Sequence, residues 1–590
     1  MANKPLEVFP RDQEAQFIAQ HWFTLNSNRR PQIERWKELR NYIFATDTTT
    51  TSNKSLPWKN STTLPKLCQI RDNLHSNYIS ALFPNDDWLR WEAYTADSAT
   101  KKKTEAIQAY MGNKTRESNF RTVISRAVYD YIDYGNSFLT VDFESSYRTL
   151  ESGERVVDYI GPIARRISPL DIVFNPLAAN FRDSYKIIRS VKTIGELKTM
   201  ADSEPDNMYL REALNKRELM KNNGKAYGID TGDKAEAYQI DGFGNFYDYL
   251  QSGTVELLEF WGDLHNHTTG QLEKGIVITI IDRAFVISKR SIPSWLGHTP
   301  IYQVGWRLRP DNLWAMGPLE NLVGMQYRID HLENLKADAM DLAIHPPLKI
   351  IGEVEEFEYG PGAEIHIDAE GDVQELAKNV QWVISANNEI NYLTGLMEQY
   401  VGAPSEAMGI RTPGEKTAFE VQQLQNAAGR IFQEKVTNLE IELLEPVLNA
   451  MLEVARRNLD TADVVRVMDD DLGVQTFITL TKDDITASGK LRPIGARHFA
   501  AQAQLVQNLN GLFNTQIGQL VSPHLSTKQL SKLVEDVLGL SRFQLFQPNI
   551  AVFEQQETQR LANQATEDLQ MEQSIGPDGT AMPMPPQQGV

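Results

Sequence analysis

The 590-residue sequence predicts an α+β protein, mainly helical and built from more than one domain. Three observations carry this. The length is well beyond one ordinary hydrophobic core. Apolar residues recur at steps of three and four through several long stretches, which is the period of amphipathic helices. Between those stretches, Val255–Gly262 and Gly275–Lys289 are dense in Ile and Val and read as strands. The longest periodic stretch runs from Thr412 to Arg457. Thr412 suits a helix cap, Pro413 the first helical position, and Glu415 lies three residues after the cap. Val421, Leu424, Ala428, Phe432, Val436, Leu439, Leu443, Val447, Met451 and Val454 then advance in nine steps over 33 residues, a mean of 3.67. At about 1.5 Å per residue the run spans roughly 65 Å. Pro446 is expected to kink it, because proline removes an amide donor and crowds the preceding turn.

Taken in order, Arg11–Phe44 reads as two helices broken at Arg29-Arg30-Pro31, and Thr46–Pro65 as a polar loop. Pro65–Phe83 is a helix with Leu67, Ile70, Leu74, Tyr78 and Leu82 on one face. A helix starts at Lys101-Lys102-Lys103, and another covers Phe120–Tyr134 and breaks at Gly135. Ser137–Phe143 alternates as a strand, and Arg165–Asn175 is a second strand region. Thr193–Asn222 is helical and charged, and glycine-rich Asn223–Gly253 reads as an exposed insert. Gly317–Ile344 is a helix with Pro318 at its start and Pro346-Pro347 as its stop. Its apolar stripe is Leu322, Met325, Ile329, Leu332, Leu335, Ala339 and Leu342, and its other face sets Asp330, Glu333, Asp338 and Asp341 against Arg328 and Lys336. Leu348–Asp368 is a short β segment with a turn at Gly360-Pro361-Gly362. From Ile344 to Glu375 the chain holds nine acids and one base. Leu376–Val401 is a second long helix, and Gly402–Arg411 is the loop before the kinked one. Val464–Leu480 reads as two strands around Gly473, Phe499–Phe513, Thr527–Leu538 and Phe553–Gln573 as helices, and Gly576–Val590 as a disordered tail.

Composition narrows the function classes. A hydrophobic share of 41% supports packed cores. Cys68 is the sole cysteine, which excludes an internal disulfide and a Cys-rich zinc site. The first residues lack an apolar signal core, and the longest apolar run, Gly275–Ile281, is too short to span a bilayer. These features point to a soluble protein of a reducing compartment without a membrane anchor. A net charge of −19 argues against tight grip on a phosphate backbone, though it does not exclude DNA that must pass without sticking.

No enzyme motif survives inspection. Gly409–Thr417 imitates a phosphate-binding loop, but Glu415 stands between glycine and lysine and Pro413 removes a backbone donor. His265 and His267, with Asp263, read as a hairpin tip rather than a metal site, and Asp469-Asp470-Asp471 lacks the spaced ligands of a calcium loop. Accordingly no catalytic residue, metal or cofactor is expected.

The ordered segments DNLHSNYISALFP from Asp72, YDYIDYGNSFLTV from Tyr129, RRISPLDIVFNP from Arg165, the stretch from Met316 to Pro347, and GAPSEAMGIRTPGEKTAFEV from Gly402 resemble the portal protein of tailed bacteriophages, the head-to-tail connector. The resemblance spans about residues 11 to 550. It implies a homo-oligomeric ring of twelve copies at one capsid vertex, assembled in the host cytoplasm and kept in the virion. Through its channel double-stranded DNA is packaged and ejected. The implied partners are the large terminase packaging ATPase, the head-to-tail adaptor, and the major capsid and scaffolding proteins. By order, the resemblance assigns 1–316 to N-terminal helices and an α+β wing, 317–344 and 376–401 to two stem helices, and 345–375 to the clip between them. It assigns 402–414 to a tunnel loop, 415–498 to the long kinked helix with wing strands, 499–575 to crown and C-terminal helices, and 576–590 to a tail. Arg411, Lys416, Asp330, Glu333, Asp338 and Asp341 are then candidates for the DNA channel, and Glu353, Glu355, Glu356 and Glu358 for docking at the clip. The competing assignment is another virion structural protein, such as an internal ejection or scaffold protein.

Overall fold

A computed structural model describes residues 10–44, 63–84, 88–93, 98–149, 155–203, 207–222, 254–266, 270–281, 283, 285–344, 348–351, 372–375, 381–401, 431–458, 463–468, 475–480, 485 and 489–493. It is a mixed helix-and-sheet protein. The chain divides into two compact units, Met1–Val465 with Thr479–Ala496, and Arg466–Ile478 with Arg497–Val590. The described residues of the second unit belong to a hairpin of β14 (Asp463–Met468) with β15 (Gln475–Leu480), the two strands expected around Gly473.

The first unit is built on two antiparallel sheets. The larger is a five-stranded meander, β4 (Ile172–Phe174), β5 (Lys186–Thr193), β6 (Thr254–Asn266), β7 (Gln271–Ile281) and β8 (Phe285–Ser291). Side chains alternate along it with period two. Leu258, Phe260, Ile276, Ile278 and Ile280 turn toward Ala15, Ile18 and Trp22 of α1 (Pro10–Asn28). Trp261 and Val277 face the other way, into a second core with Ile33 and Trp36 of α2 (Arg30–Phe44). A third core seats α6 (Ile194–Ser203) and α7 (Met208–Asn222) on Val255, Leu257, Ile281 and Ile287. Each fully buried Ile, Leu or Phe contributes about 1.5–3 kcal/mol. The smaller sheet has the order β3 (Arg155–Ile167), β2 (Asn136–Thr149), β9 (Ile301–Gly305). α5 (Phe120–Asp133) packs on β2 and β3 and α4 (Ser98–Glu117) on β3, while α3 (Lys66–Leu82) lies against α5.

Several expectations from spacing need correcting. Arg165–Asn175 is not one strand: Pro169 ends β3, and a 3-10 turn at Pro169–Asp171, capped by Ser168 accepting from the Leu170 amide, leads into β4. Gly275–Lys289 is a hairpin, β7 with β8, whose turn residue Arg283 takes φ 57° and is held by the buried Glu256 through bonds of 2.8 and 3.1 Å. Thr193–Asn222 is two helices. The region before Pro446 is not a simple kink. Residues 431–438 are α-helical, Leu439–Leu444 widen into a π-helix in which the Glu445 amide reaches the Glu440 carbonyl, and α10 (Glu445–Asn458) follows. Pro446 carries no amide to return to the preceding turn, and the wider turn absorbs the mismatch. Strands β1 (Leu89–Ala93) and β16 (Gly489–Pro493) pair across some 400 residues, a contact that local pattern does not announce. The insert at Asn223–Gly253, the helices after Phe499 and the tail lie outside the described residues.

The break between α1 and α2 acts as a fastening point. Arg29 is buried, and its guanidinium donates to the carbonyls of Pro169 (2.7 Å), Leu170 (2.7 Å) and Ile172 (2.8 Å) and to Asn26 Oδ1 (3.0 Å), lying over the Trp314 ring. Arg29→Ala strands three carbonyls in the core. We expect it to destabilise the first unit by about 3 kcal/mol, read as a lowered denaturation midpoint, with lysine restoring only part of the loss.

Candidate functional site

The site is a helix pair and the joint from which it springs. The joint begins at Gly135, which has φ +68° between α5 and β2. A Cβ there would stand 2.2 Å from the Gly317 nitrogen, so two segments far apart in sequence meet backbone to backbone. Gly317 answers in kind, because its own Cβ would sit 3.0 Å from the Ile132 carbonyl. Beside them Asn136 is fully buried. Its Nδ2 donates to the carbonyls of Tyr134 and Ala315, both at 2.9 Å, and its Oδ1 accepts from the Ala315 amide (3.0 Å) and Gln303 Nε2 (3.2 Å). Both donors and the acceptor are thereby used. β11 (Asn312–Met316), hydrogen-bonded to β10 (Arg307–Arg309), is thus clamped to the α5–β2 turn just before the first long helix. Glu320 Oε1 then accepts from the Gly317 amide (3.1 Å) and Trp36 Nε1 (3.2 Å), capping the start and tying it to α2.

The pair is α8 (Val323–Ile344) and α9 (Gln381–Val401), joined through a small antiparallel hairpin of β12 (Leu348–Ile351) and β13 (Asp372–Glu375). Helices occur where the spacing predicts them on either side of this hairpin. The root of the pair is bound to α3. The Pro65 cap of α3 offers no side-chain bond, and α8 supplies it instead. Gln326, fully buried, accepts from the Leu67 amide (3.2 Å) and donates to the Leu64 carbonyl (2.6 Å) and to Asp330 Oδ1 (2.9 Å). Asp330 Oδ1 also takes the Leu64 amide at 3.0 Å. Lys66 meets Glu398 of α9 at 2.6 Å, both side chains well covered. One short strap, residues 64–67, therefore holds both helices.

Across the pair Arg328 meets Glu389 at 3.4 Å, and further out Lys336 reaches Asn387 (3.2 Å) and Glu333 (2.5 Å). The outer half is poorly covered. Leu335, Met340, Leu342 and Ile344 on α8, Ile350 and Ile351 on the hairpin, and Trp382 and Ile384 on α9 are all exposed, Trp382 to 75% and Ile344 to 68%, and Tyr392 and Tyr400 extend the exposed surface back toward the root. Exposed apolar side chains at this density mark a surface made for contact.

The channel candidates divide. Asp330 is not on an outer face: it is buried at the root and holds the strap, because the position facing α3 needs an acceptor for a backbone amide. Glu333 is paired and mostly covered, Asp338 is half-buried, and Asp341 is exposed. Arg411, Lys416, Glu353, Glu355, Glu356 and Glu358 lie outside the described residues, as do the phosphate-loop look-alike and Asp469–Asp471. His265 is exposed on β6, and Asp263 accepts the Gly275 amide at 2.7 Å across the hairpin. Among the described residues no cluster of His, Cys, Asp and Glu is placed to hold a metal, and no helix is long and apolar enough to cross a membrane. Gln326, Asn136 and Glu320 were missed as key positions. The available signal was a Gln and an Asp four apart on α8, Gln326 and Asp330, which share a helix face. Neither a protein-family model nor a curated protein matches the chain.

Burial pushes the Asp330 carboxyl up to about 6, against the bonds from Leu64 and Gln326 that favour its charged form. The folded protein holds this proton more tightly than the unfolded chain, whose Asp titrates near 4. Its stabilising contribution is therefore complete below about pH 4 and lost as pH rises through about 6. Asp330→Asn should flatten the stability–pH curve across that window, measured by denaturant titration at stepped pH. Gln326→Ala leaves the Leu67 amide without its acceptor and takes from the Leu64 carbonyl one of its two donors, the Lys66 amide remaining, and should cost about 2 kcal/mol. It should also raise amide exchange at the start of α3.

Proposed function

We propose that this chain is the repeating subunit of a phage portal, a ring at one capsid vertex through which double-stranded DNA enters and leaves. The observation that carries the reading is the helix pair. Its root is locked to the body by buried polar bonds, while Leu335, Leu342 and Ile344 along α8 and Trp382, Tyr392 and Tyr400 along α9 stay exposed. The described residues of a single copy leave them open, whereas copies standing side by side would bury them on both flanks. Two unlike flanks meeting head to tail generate a closed ring when the rotation closes. The resemblance of the ordered segments supplies the rest: two stem helices around a clip, a tunnel loop behind the second, twelve copies, and docking of the packaging ATPase and later the adaptor. The chain then performs no catalysis of its own, and ATP hydrolysis belongs to the motor.

Electron micrographs of the purified full-length protein test this, with rings of a single diameter as the expected result and uniform monomers as the outcome that ends the reading. The double variant Leu342→Glu, Trp382→Glu should abolish rings and leave a folded monomer with an unchanged circular-dichroism spectrum. Each apolar contact contributes about 1.5–3 kcal/mol per interface, and the interface repeats around the ring.

A further inference from the structure

Two loops of the first unit meet at one imidazole. The loop at 175–184 leads from β4 to β5, and the loop at 292–300 from β8 to β9. Each is fixed to the body on its own. In the first, the fully buried Lys186 donates to the carbonyls of Arg182 (3.1 Å) and Ser184 (2.7 Å) and lies 4.6 Å from the centre of the Phe181 ring. The Pro176 carbonyl accepts from the Leu313 amide at 2.9 Å. In the second, the Ile292 amide reaches the Gly275 carbonyl (2.8 Å), the Trp295 amide donates to Glu453 Oε1 of α10 (3.0 Å), and the Pro300 carbonyl accepts from Thr140 Oγ1 (3.0 Å). Among the described residues, the hydrogen bond that joins the two loops runs from Arg182 Nη2 to His298 Nδ1 at 2.8 Å.

That nitrogen has a second neighbour. The Leu296 carbonyl of its own loop lies 2.9 Å away. A guanidinium only donates and a carbonyl only accepts. Nδ1 therefore serves Arg182 when it carries a lone pair and Leu296 when it carries a proton, never both at once. Nε2, 3.3 Å from the Tyr302 hydroxyl, suits either state, because a hydroxyl can donate or accept. A protonated ring would set N–H against N–H and cation against cation at the Arg182 contact. The charged and titratable groups around the ring are Arg182 and Asp183 of the first loop, Lys186 of β5, Tyr302 of β9 and, beyond it, Glu453 of α10 with its partner Arg457.

We propose that His298 is an acid-released latch: neutral, it ties the loop at 175–184 to the loop at 292–300 through Arg182, and on gaining a proton it turns its bond inward to Leu296 and lets the first loop go. The latch belongs to a single copy and is independent of the portal reading. Burial holds the imidazole below its ordinary range; the Leu296 carbonyl opposes this, Arg182 and Lys186 add to it, and Asp183 opposes it. The unfolded chain thus binds this proton more readily than the folded one. The contribution of the latch is complete above about pH 6.5 and is lost as pH falls below it.

Hydrogen exchange of the full-length protein at about pH 7.5 and about pH 5, corrected for the intrinsic effect of pH and read by mass spectrometry, tests this. Arg182 is exposed, which holds the expected effect to about a fivefold faster exchange across 177–184 at the lower pH. His298→Asn, whose amide oxygen takes the place of Nδ1 and gains no proton, should exchange slowly at both. Arg182→Ala should exchange fast at both. Lys186, pushed down to about 7 by burial, titrates in the same interval but is unchanged in His298→Asn, so that variant separates the two. A wild-type loop that exchanges alike at both pH values overturns the latch. So does a pH response that survives in His298→Asn, or an Arg182→Ala loop as slow as wild type at the higher pH.

Discussion

One backbone-to-backbone contact governs the helix pair. A Cβ on Gly135 would overlap the Gly317 backbone and one on Gly317 would crowd the Ile132 carbonyl, and Asn136 closes the gap with four hydrogen bonds. Everything upstream, the α5–β2 turn and the sheets behind it, is thereby referenced to the residue from which the helix pair departs. A flexible joint here would let α8 swing, and no lateral surface built on it would present a reproducible geometry. The arrangement is rigid because a buried amide with every donor and acceptor used has one low-energy pose.

The same logic runs down the helix. Gln326 and Asp330 lie one turn apart and point into the body, where they replace the missing cap of α3. Their burial turns two polar residues on an otherwise amphipathic helix into a fixed anchor. Beyond them the packing changes character. Among the described residues the outer half of the pair is tied across by Lys336–Asn387 and shows apolar side chains to solvent. Anchor and open flank together are the physical content of the portal proposal.

Much of this was legible along the chain. The periodic residues of Gly317–Ile344 and Leu376–Val401 marked both helices, and Ile- and Val-rich runs marked β6, β7 and β8. The side that each polar residue occupies was less legible. Asp330 sits among acids that spacing alone grouped on one outer face, yet it is interior, because α3 packs there. Pro446 announced an interruption but not its form, since a π-turn depends on the next available carbonyl rather than on the proline itself.

Local sequence by itself determined which segments coil and which extend, because period and capping act over a few residues. It also determined that the second helix of the pair carries almost no charge. The tertiary structure alone decided that β1 pairs with β16 across 400 residues, that Gln326 caps a helix other than its own, and that two distant glycines touch. Such contacts depend on which surfaces collapse together. That is settled by the total apolar area buried and the satisfaction of every trapped polar group, quantities that no window of neighbouring residues contains.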